Sequence, residues 1–322
     1  MRVLVTGGAG YIGSHLVDRL LAEGNEVVVV DNLSIGRLAN IEHDLENPRL
    51  RFLEGDVLDR RLMEEVIEES DLVYHLSAVV GVKHVLADPL RAMVTNVWGT
   101  GRVLQLASDH GRKVVLASSS EVYGKSVKSP LAEHQDRVVG PTYVSRWSYS
   151  AAKVLDEHLA LAYHRQKELP VVIVRYFNSY GPRLDPNGYG SVVAKFINQA
   201  LNGQVVTVHG DGQQSRCFTY IDDTVEGTVL AATADAANGE ILNIARAEET
   251  TIFQLAETIK DMTGSSSDIV LVPYEEEYGE GFQDSKRRVP AVDKAARLLG
   301  FKAEVPLTRG LEQTIRWFRR GR

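Results

Sequence analysis

Tyr149 and Lys153 lie four residues apart in a stretch, 147–167, whose apolar spacing predicts a helix. At that separation the two side chains share one helix face, and the ammonium can sit beside the phenol. A neighbouring cation favours phenolate and lowers the tyrosine pKa, which suits a base that takes a proton from a hydroxyl group. A tyrosine and a lysine at this spacing are most often a plain surface pair, so their weight comes from their setting. Upstream, 113–117 (KVVLA) reads as a strand that runs into Ser118, Ser119, Ser120 and Glu121. The carboxyl ends of parallel strands are where such sheets bind ligands. Glu121 is there either a functional acid or a salt-bridged loop acid, and Arg287 and Arg288 are either functional cations or a solvated pair. His75 and His84 have no ligand-spaced partner, read as ordinary core or rim histidines, and leave no metal site expected.

The elements that position these residues begin at the N-terminus. Residues 2–6 (RVLVT) predict a short buried strand, 14–23 a helix, and 26–30 (EVVVV) a second strand that ends on Asp31. Gly7, Gly10 and Gly13 stand between the first strand and the helix. Gly7 is expected to make the tight turn, Gly10 to admit a pyrophosphate, and Gly13 to let the helix pack closely on the strand. The helix N-terminus offers N–H groups and a partial positive charge to phosphates. Asp31 can accept hydrogen bonds from both ribose hydroxyls of an adenosine and would repel a 2′-phosphate. The first basic residue after it is Arg37, so the spacing predicts NAD as the cofactor in preference to NADP.

Composition narrows the function classes. With 322 residues the chain can bury a sizeable core. Its formal net charge of −7 provides no basic footprint for nucleic acid or a membrane surface. An anionic ligand therefore needs a local arginine cluster. Cys217 is the single cysteine, which excludes an intramolecular disulfide and a multi-cysteine metal site. No apolar run approaches the length of a membrane span, the N-terminus enters a strand at once, and the chain reads as cytoplasmic.

Further strands are predicted at 50–53, 71–76, 113–117 and 171–177, and helices near 89–110 and 147–167. This alternation predicts an α/β fold, a doubly wound parallel sheet of Rossmann type over residues 1–177. Residues 178–322 predict a second, smaller α/β substrate domain, with 218–245 returning to the first. Its elements are a helix at 192–201 and strands at 205–209, 217–221, 241–244 and 269–272. The turn-rich segment 122–146 has the length of a functional lid. Asp56 either meets an adenine or caps the helix that begins near Asp59.

TGGAGYIG at 6–13, Asn96, the serines at 118–120 and YSAAK at 149–153 resemble the extended short-chain dehydrogenase/reductase family of nucleotide-sugar epimerases, dehydratases and decarboxylases. RYFNSYGPR at 175–183, GDGQQSRCFTYIDD at 210–223 and ILNIA at 241–245 extend the resemblance over nearly the whole chain. It implies tightly held NAD. The cofactor would meet Gly7, Gly10, Tyr11, Ile12 and Gly13 at the first turn, then Asp31, Asn32, Asp56 and Val57 at the adenosine end. Leu76, Ser77, Ala78, Asn96 and Tyr176 would complete its site, with Lys153 on the nicotinamide ribose. Tyr149 would be the base, and a serine, Ser119 or Ser120, would hold the sugar hydroxyl. For a UDP-linked sugar the resemblance implies Gly81, Val82, Lys83, Asn178, Arg183, Val193, Arg216 and Tyr278 as binding residues. It also implies a homodimer through the helices near 89–110 and 147–167.

Within the family, SSSEVYG, RWSYSAAK and YGEGFQDSKRRVP are similar to the UDP-glucuronate decarboxylase and UDP-apiose/UDP-xylose synthase group. That likeness implies that Glu121 and Arg288 flank the sugar carboxylate with Arg146 nearby. Oxidation at C4 makes a β-keto acid that loses carbon dioxide, and the 4-keto pentose is then reduced to UDP-xylose or released. The loop VVGVKHVLADP after Ala78 departs from that group. It has Val85 where those decarboxylases carry a tyrosine and resembles a 4-epimerase loop, which keeps a UDP-sugar 4-epimerase as the alternative. A non-catalytic NAD-binding regulator would be expected to lose Tyr149 or Lys153.

Overall fold

The computed structural model describes residues 1–185, 191–278 and 285–320, without the side chains of Val82, Lys83, Glu277 and Tyr278. Valine-rich runs, stiff at χ1 and suited to a pleated surface, build the central sheet. Its strands are β1 (Arg2–Thr6), β2 (Glu26–Asp31), β3 (Leu50–Glu54), β4 (Leu72–His75), β5 (Lys113–Ser119), β6 (Val171–Tyr176) and β7 (Ile241–Ile244). The order is β7-β6-β5-β4-β1-β2-β3 and every pairing is parallel. This is the expected Rossmann sheet, extended on one edge by β7. The order reverses between β1 and β4, and open α/β sheets bind ligands in the crevice at such a reversal.

Both faces are covered, which is why β1 and β2 read as unbroken apolar runs. One apolar layer holds the helices Arg60–Glu68, Gly99–Asp109 and Ser148–Lys167 against the sheet. The other packs α1 (Tyr11–Ala22) beside the helix Ile221–Thr233 and runs on without a break into the helices Val192–Leu201, Ile252–Thr263 and Leu307–Arg320. Small sheets surround the strand ends. Ser215–Cys217 lies between Glu249–Thr251, antiparallel, and Arg287–Arg288, parallel. Thr219–Tyr220 pairs with Ser179–Tyr180, and Val206–His209 with Ile269–Val272.

Three sequence expectations change. The helix expected over 89–110 is three pieces: Pro89–Met93, a π-helical turn Val94–Trp98, and Gly99–Asp109. π-turns concentrate at functional sites, and this one carries Asn96. The strand expected over 217–221 is broken into two because Phe218 separates pairings with different partners. The segment 122–146 is a packed strap and not a free lid. Tyr123 and Leu131 are buried, Asn243 Nδ2 donates to the Leu131 carbonyl at 2.9 Å, and Leu131 N–H donates to the Val289 carbonyl at 2.7 Å.

Candidate active site

The turn after β1 has the geometry of an anion cradle. Gly7 has φ +73°, and a Cβ there would stand 2.8 Å from Ser77 N. Gly10 is the N-cap of α1, and no side chain among the described residues caps that terminus. Its first N–H groups are thus free for an anion. The need for glycine at position 13 differs from the expected one: a Cβ there would collide with the Gly7 carbonyl, inside the turn itself. The close approach to β2 belongs to Gly8, whose Cβ would meet the Val29 side chain at 2.7 Å.

Asp31 ends β2 and is buried. Its carboxylate accepts from Ala9 N–H at 3.0 Å and Leu33 N–H at 2.9 Å. Burial raises its pKa, and those two N–H bonds work against the rise. Gly36, which the sequence reading missed, closes over it: a Cβ there would lie 2.7 Å from Asp31 Oδ2. Asn32 Nδ2 donates to Asp56 Oδ2 at 2.9 Å, and Leu58 N–H donates to Asp56 Oδ1 at 2.9 Å. The helix cap is Asp59, which accepts from Arg61 and Leu62 N–H, so Asp56 is not the cap. Val57 is buried in the core beneath them.

Past β4, Leu76 N–H donates to the Thr6 carbonyl and Ser77 N–H to Thr6 Oγ1, which brings 76–78 beside the glycine turn. Gly81, at φ +94°, starts the short helix Val82–Ala87. Asn96 acts on this loop: its Oδ1 accepts from Val79 N–H at 2.7 Å and its Nδ2 donates to the Val79 carbonyl at 3.1 Å. Its amide thus holds the loop that follows β4. His75 is a core residue, as expected. Its Nδ1 meets Thr6 Oγ1 at 2.7 Å, and burial lowers its pKa to about 3.

At the end of β5 the three serines diverge. Ser118 Oγ donates to buried Glu157 at 2.6 Å, where Arg175 also docks through two bonds. Ser119 Oγ accepts from Glu121 N–H and meets the Tyr149 side chain, and Ser120 is buried. Tyr149, like Ile35, packs against the cluster of Val79, Val85 and Ala92. The expected lowering of its pKa by Lys153 is overturned. Burial first, then the Glu121 charge, push the phenol up, Ser119 opposes them, and Asp156 adds to the rise. Lys153 Nζ lies instead 3.2 Å from Asp156 Oδ2 and 3.1 Å from the Ala117 carbonyl. Asp156 is a residue the sequence reading missed, although an acid three positions after the lysine shares its face.

Glu121, Arg146 and Arg288 converge from three parts of the chain. Arg288 Nη1 lies 2.6 Å from Glu121 Oε1 and Arg146 Nη1 3.0 Å from Glu121 Oε2. Burial opposes ionisation of Glu121, but Arg288 and Arg146 outweigh it and hold its carboxyl far below the usual carboxylate range. Arg216 stands directly across from Arg288 in the strand register, so their side chains leave the same face. All three arginines are buried, and Arg288 Nη2 has no hydrogen-bond partner among the described residues. Asn178, at φ +32°, has a buried Oδ1 that is likewise unpartnered there.

Other expected contacts are not brought together. Arg183 Nη2 is tied to Asp18 Oδ2 at 2.7 Å on the flank of α1, away from the serines. The Val193 side chain is buried in the core beside Phe196 and Ile197, which leaves no surface for a sugar. The Tyr176 hydroxyl is engaged by Thr228 Oγ1 at 2.9 Å. Tyr11 packs edge-on to His15 at 5.9 Å, and Ile12 packs on the core. Val82, Lys83 and Tyr278 lie outside the described side chains.

A family model described as GDP-mannose 4,6 dehydratase matches residues 4–314. The chain belongs to that family. It is therefore an enzyme of the extended short-chain dehydrogenase/reductase type. Over 318 residues it is 43% identical to a UDP-N-acetyl-alpha-D-glucosaminuronate decarboxylase of Bacillus cytotoxicus, covering 99% of this chain and 98% of the relative. It is 37% identical to UDP-glucuronic acid decarboxylase 1 of Xenopus tropicalis, covering 99% of this chain and 72% of the relative. Among solved structures, a UDP-glucuronic acid 4-epimerase from Bacillus cereus in complex with UDP-glucuronic acid and NAD superposes with a TM-score of 0.88 at 31% identity, over 100% of both chains. The UDP-glucose 4-epimerase of Thermotoga maritima with UDP-glucose gives 0.89 at 34% identity, over 100% of this chain and 99% of that one.

Proposed function

We propose that the enzyme is an NAD-dependent decarboxylase of a UDP-linked uronic acid, UDP-glucuronate or its 2-acetamido counterpart. The observation that carries this reading is the pair of buried guanidiniums, Arg146 and Arg288, that meet Glu121 beside Tyr149 while Arg288 Nη2 has no hydrogen-bond partner among the described residues. A buried guanidinium N–H with no acceptor among the described residues calls for one from a ligand, and a carboxylate on the sugar fits the fork of a guanidinium. Arg216, in register with Arg288, is assigned to the diphosphate. The decarboxylase relatives support the same reading.

The free N-terminus of α1, the close turn at Gly7 and the carboxylate of Asp31 fit NAD. NAD, when bound, accepts and returns a hydride at C4 of the sugar. Tyr149 takes the proton of the C4 hydroxyl, Ser119 orients that hydroxyl, and Lys153 contributes the ammonium on the same helix face. A ketone at C4 is β to the C6 carboxylate, so the electrons of the bond to the carboxylate can flow to the ketone oxygen as carbon dioxide departs. Glu121, held ionised by its two arginines, cannot donate the proton that C5 then takes up. Its part is electrostatic: a fixed negative charge beside the substrate carboxylate opposes that group more than it opposes neutral carbon dioxide.

The division of labour proposed is that residues 1–177, with 218–245, carry NAD, and that most of 178–322 carries the nucleotide sugar. A homodimer in a cytoplasmic setting is part of the proposal, supported by Leu90, Trp98 and Leu155, which lie exposed on the helices of 89–109 and 148–167. A second reading, 4-epimerisation, is favoured by the loop at 79–85, whose Val79 and Val85 form the cluster that Tyr149 packs against. The deciding experiment incubates purified protein, with and without NAD, with UDP-glucuronate and with UDP-N-acetylglucosaminuronate, and identifies products by mass and proton NMR. Loss of carbon dioxide is expected. An unchanged mass with inverted C4 would make the enzyme an epimerase.

A further inference from the structure

Asp156 lies three residues beyond Lys153 on the Ser148–Lys167 helix and is fully buried. Its Oδ2 stands 3.2 Å from Lys153 Nζ, and the lysine also donates to the Ala117 carbonyl at 3.1 Å. An ammonium has three donors, so these two contacts leave one N–H for a further acceptor. A charge without a partner is costly inside a protein, and Lys153 is only 2% exposed. Asp156 is its counter-charge.

Other groups face this carboxylate. Burial raises the Asp156 pKa and the Lys153 ammonium works against that rise; Thr100, on the Gly99–Asp109 helix, faces the carboxylate, and Glu157 is its like-charged neighbour on its own helix. Behind Thr100 stands His75 of β4, its Nε2 3.2 Å from Thr100 Oγ1 and its Nδ1 2.7 Å from Thr6 Oγ1. A buried hydrogen-bonded chain thus runs from Thr6 through His75 to Thr100, beside Asp156. His75 stays neutral down to acid pH, and Glu157 is matched by Arg175 and Arg137. The charge left beside Lys153 is that of Asp156.

We propose that Asp156 is a positioning residue for proton transfer at C4: it anchors the Lys153 ammonium and provides a fixed negative charge that makes Tyr149 keep its proton until substrate is in place. The proposal rests on the reading of Tyr149 as the base. Tyr149 is faced by Ser119, by Glu121 and, along its own helix, by Asp156. Seven residues of helix separate the two by about 10 Å. A unit charge at that range, at an effective dielectric near 20, moves a proton equilibrium by about tenfold. Such a tyrosine suits a cycle in which the proton taken at oxidation is returned at reduction.

The test reads Tyr149 ionisation by NMR of tyrosine labelled with carbon-13 at Cζ, the signal being assigned with Y149F, in protein with and without NAD. D156N keeps the shape and an acceptor for Lys153 but removes the charge. Its Tyr149 midpoint is expected to fall by about one pH unit, and the acid limb of kcat/KM to move with it. D156E, which keeps the charge, is expected to stay near the wild-type midpoint. D156S, smaller and equally uncharged, gives the same downward shift should the asparagine variant not fold. An unchanged midpoint in folded, uncharged variants overturns the proposal and leaves Asp156 a structural residue. Full activity in Y149F would instead sink the base assignment, a failure the titration tells apart.

Discussion

Arg288 Nη1 reaches Glu121 Oε1 across 2.6 Å of space and 167 residues of sequence. The contact joins the last strand of the substrate-side sheet to the end of β5, so the site is complete only when both halves of the chain are folded. Replacing Arg288 by Lys keeps a charge but loses the planar fork. R288K is expected to lower kcat on a UDP-uronate by about a hundredfold while binding of a UDP-hexose without a carboxylate changes little. Steady-state kinetics on the uronate, with calorimetry on the neutral sugar, check this. Equal losses on both would assign Arg288 to the diphosphate.

Glu121 also carries a stability signature. Its folded pKa is depressed, so its stabilisation is fully present above the unfolded value of about 4.3 and is lost as pH falls below that toward the folded value. E121Q is therefore expected to melt lower than the native enzyme by a constant margin between about pH 5 and 8, with the margin closing in acid. Calorimetric Tm against pH checks it, and a margin that grows in acid contradicts the sign.

His75 works in the opposite region. Its folded pKa of about 3 lies below the ordinary histidine value, so the unfolded chain binds the extra proton first. Stability should fall by about 1.4 kcal/mol per pH unit as pH drops from about 6.5 toward 3. H75Q, which keeps hydrogen-bonding groups and does not titrate, is expected to flatten that slope in denaturant titrations across the same range.

Asp31 tests the cofactor site. D31N removes the charge but keeps acceptor capacity toward Ala9 N–H and Leu33 N–H. NAD affinity should fall by about ten- to a hundredfold, the range for losing charge-assisted hydrogen bonds, and discrimination against NADP should narrow. Isothermal titration with both dinucleotides measures each; undiminished discrimination would move specificity to another residue.

What the sequence made legible follows from where its signals are local. Apolar runs mark β1, β2 and β7 to within a residue, because a strand buried on both faces is apolar at most of its positions. Tyr149 and Lys153 were legible as a helical pair, but the direction of Lys153 was not. That depends on Asp156 and Ala117, and on the burial of all three. Arg183 sits within a recognisable motif and Val193 within an expected helix, yet tertiary contacts with Asp18 and with the core decide where they point. The π-turn at Val94–Trp98 left no mark in the apolar period, since it adds one residue to a turn whose inner face Asn96 fills by reaching Val79.

Trp98 closes that π-turn and is 67% exposed, with Leu90 74% exposed one element earlier and Leu155 44% exposed on the adjoining helix. Burying a large apolar side chain contributes about 1.5–3 kcal/mol, so these three residues are the expected core of the proposed homodimer interface. W98E introduces a charge at its centre. Sedimentation velocity is expected to show a dimer for the native enzyme and a monomer for W98E, with the Rossmann sheet intact by circular dichroism. Because Asn96 and Trp98 share the π-turn, loss of the dimer should also loosen the Val79 loop and raise KM for the nucleotide sugar more than it lowers kcat. A native enzyme that sediments as a monomer would remove the dimer from the proposal and leave the site geometry as it stands.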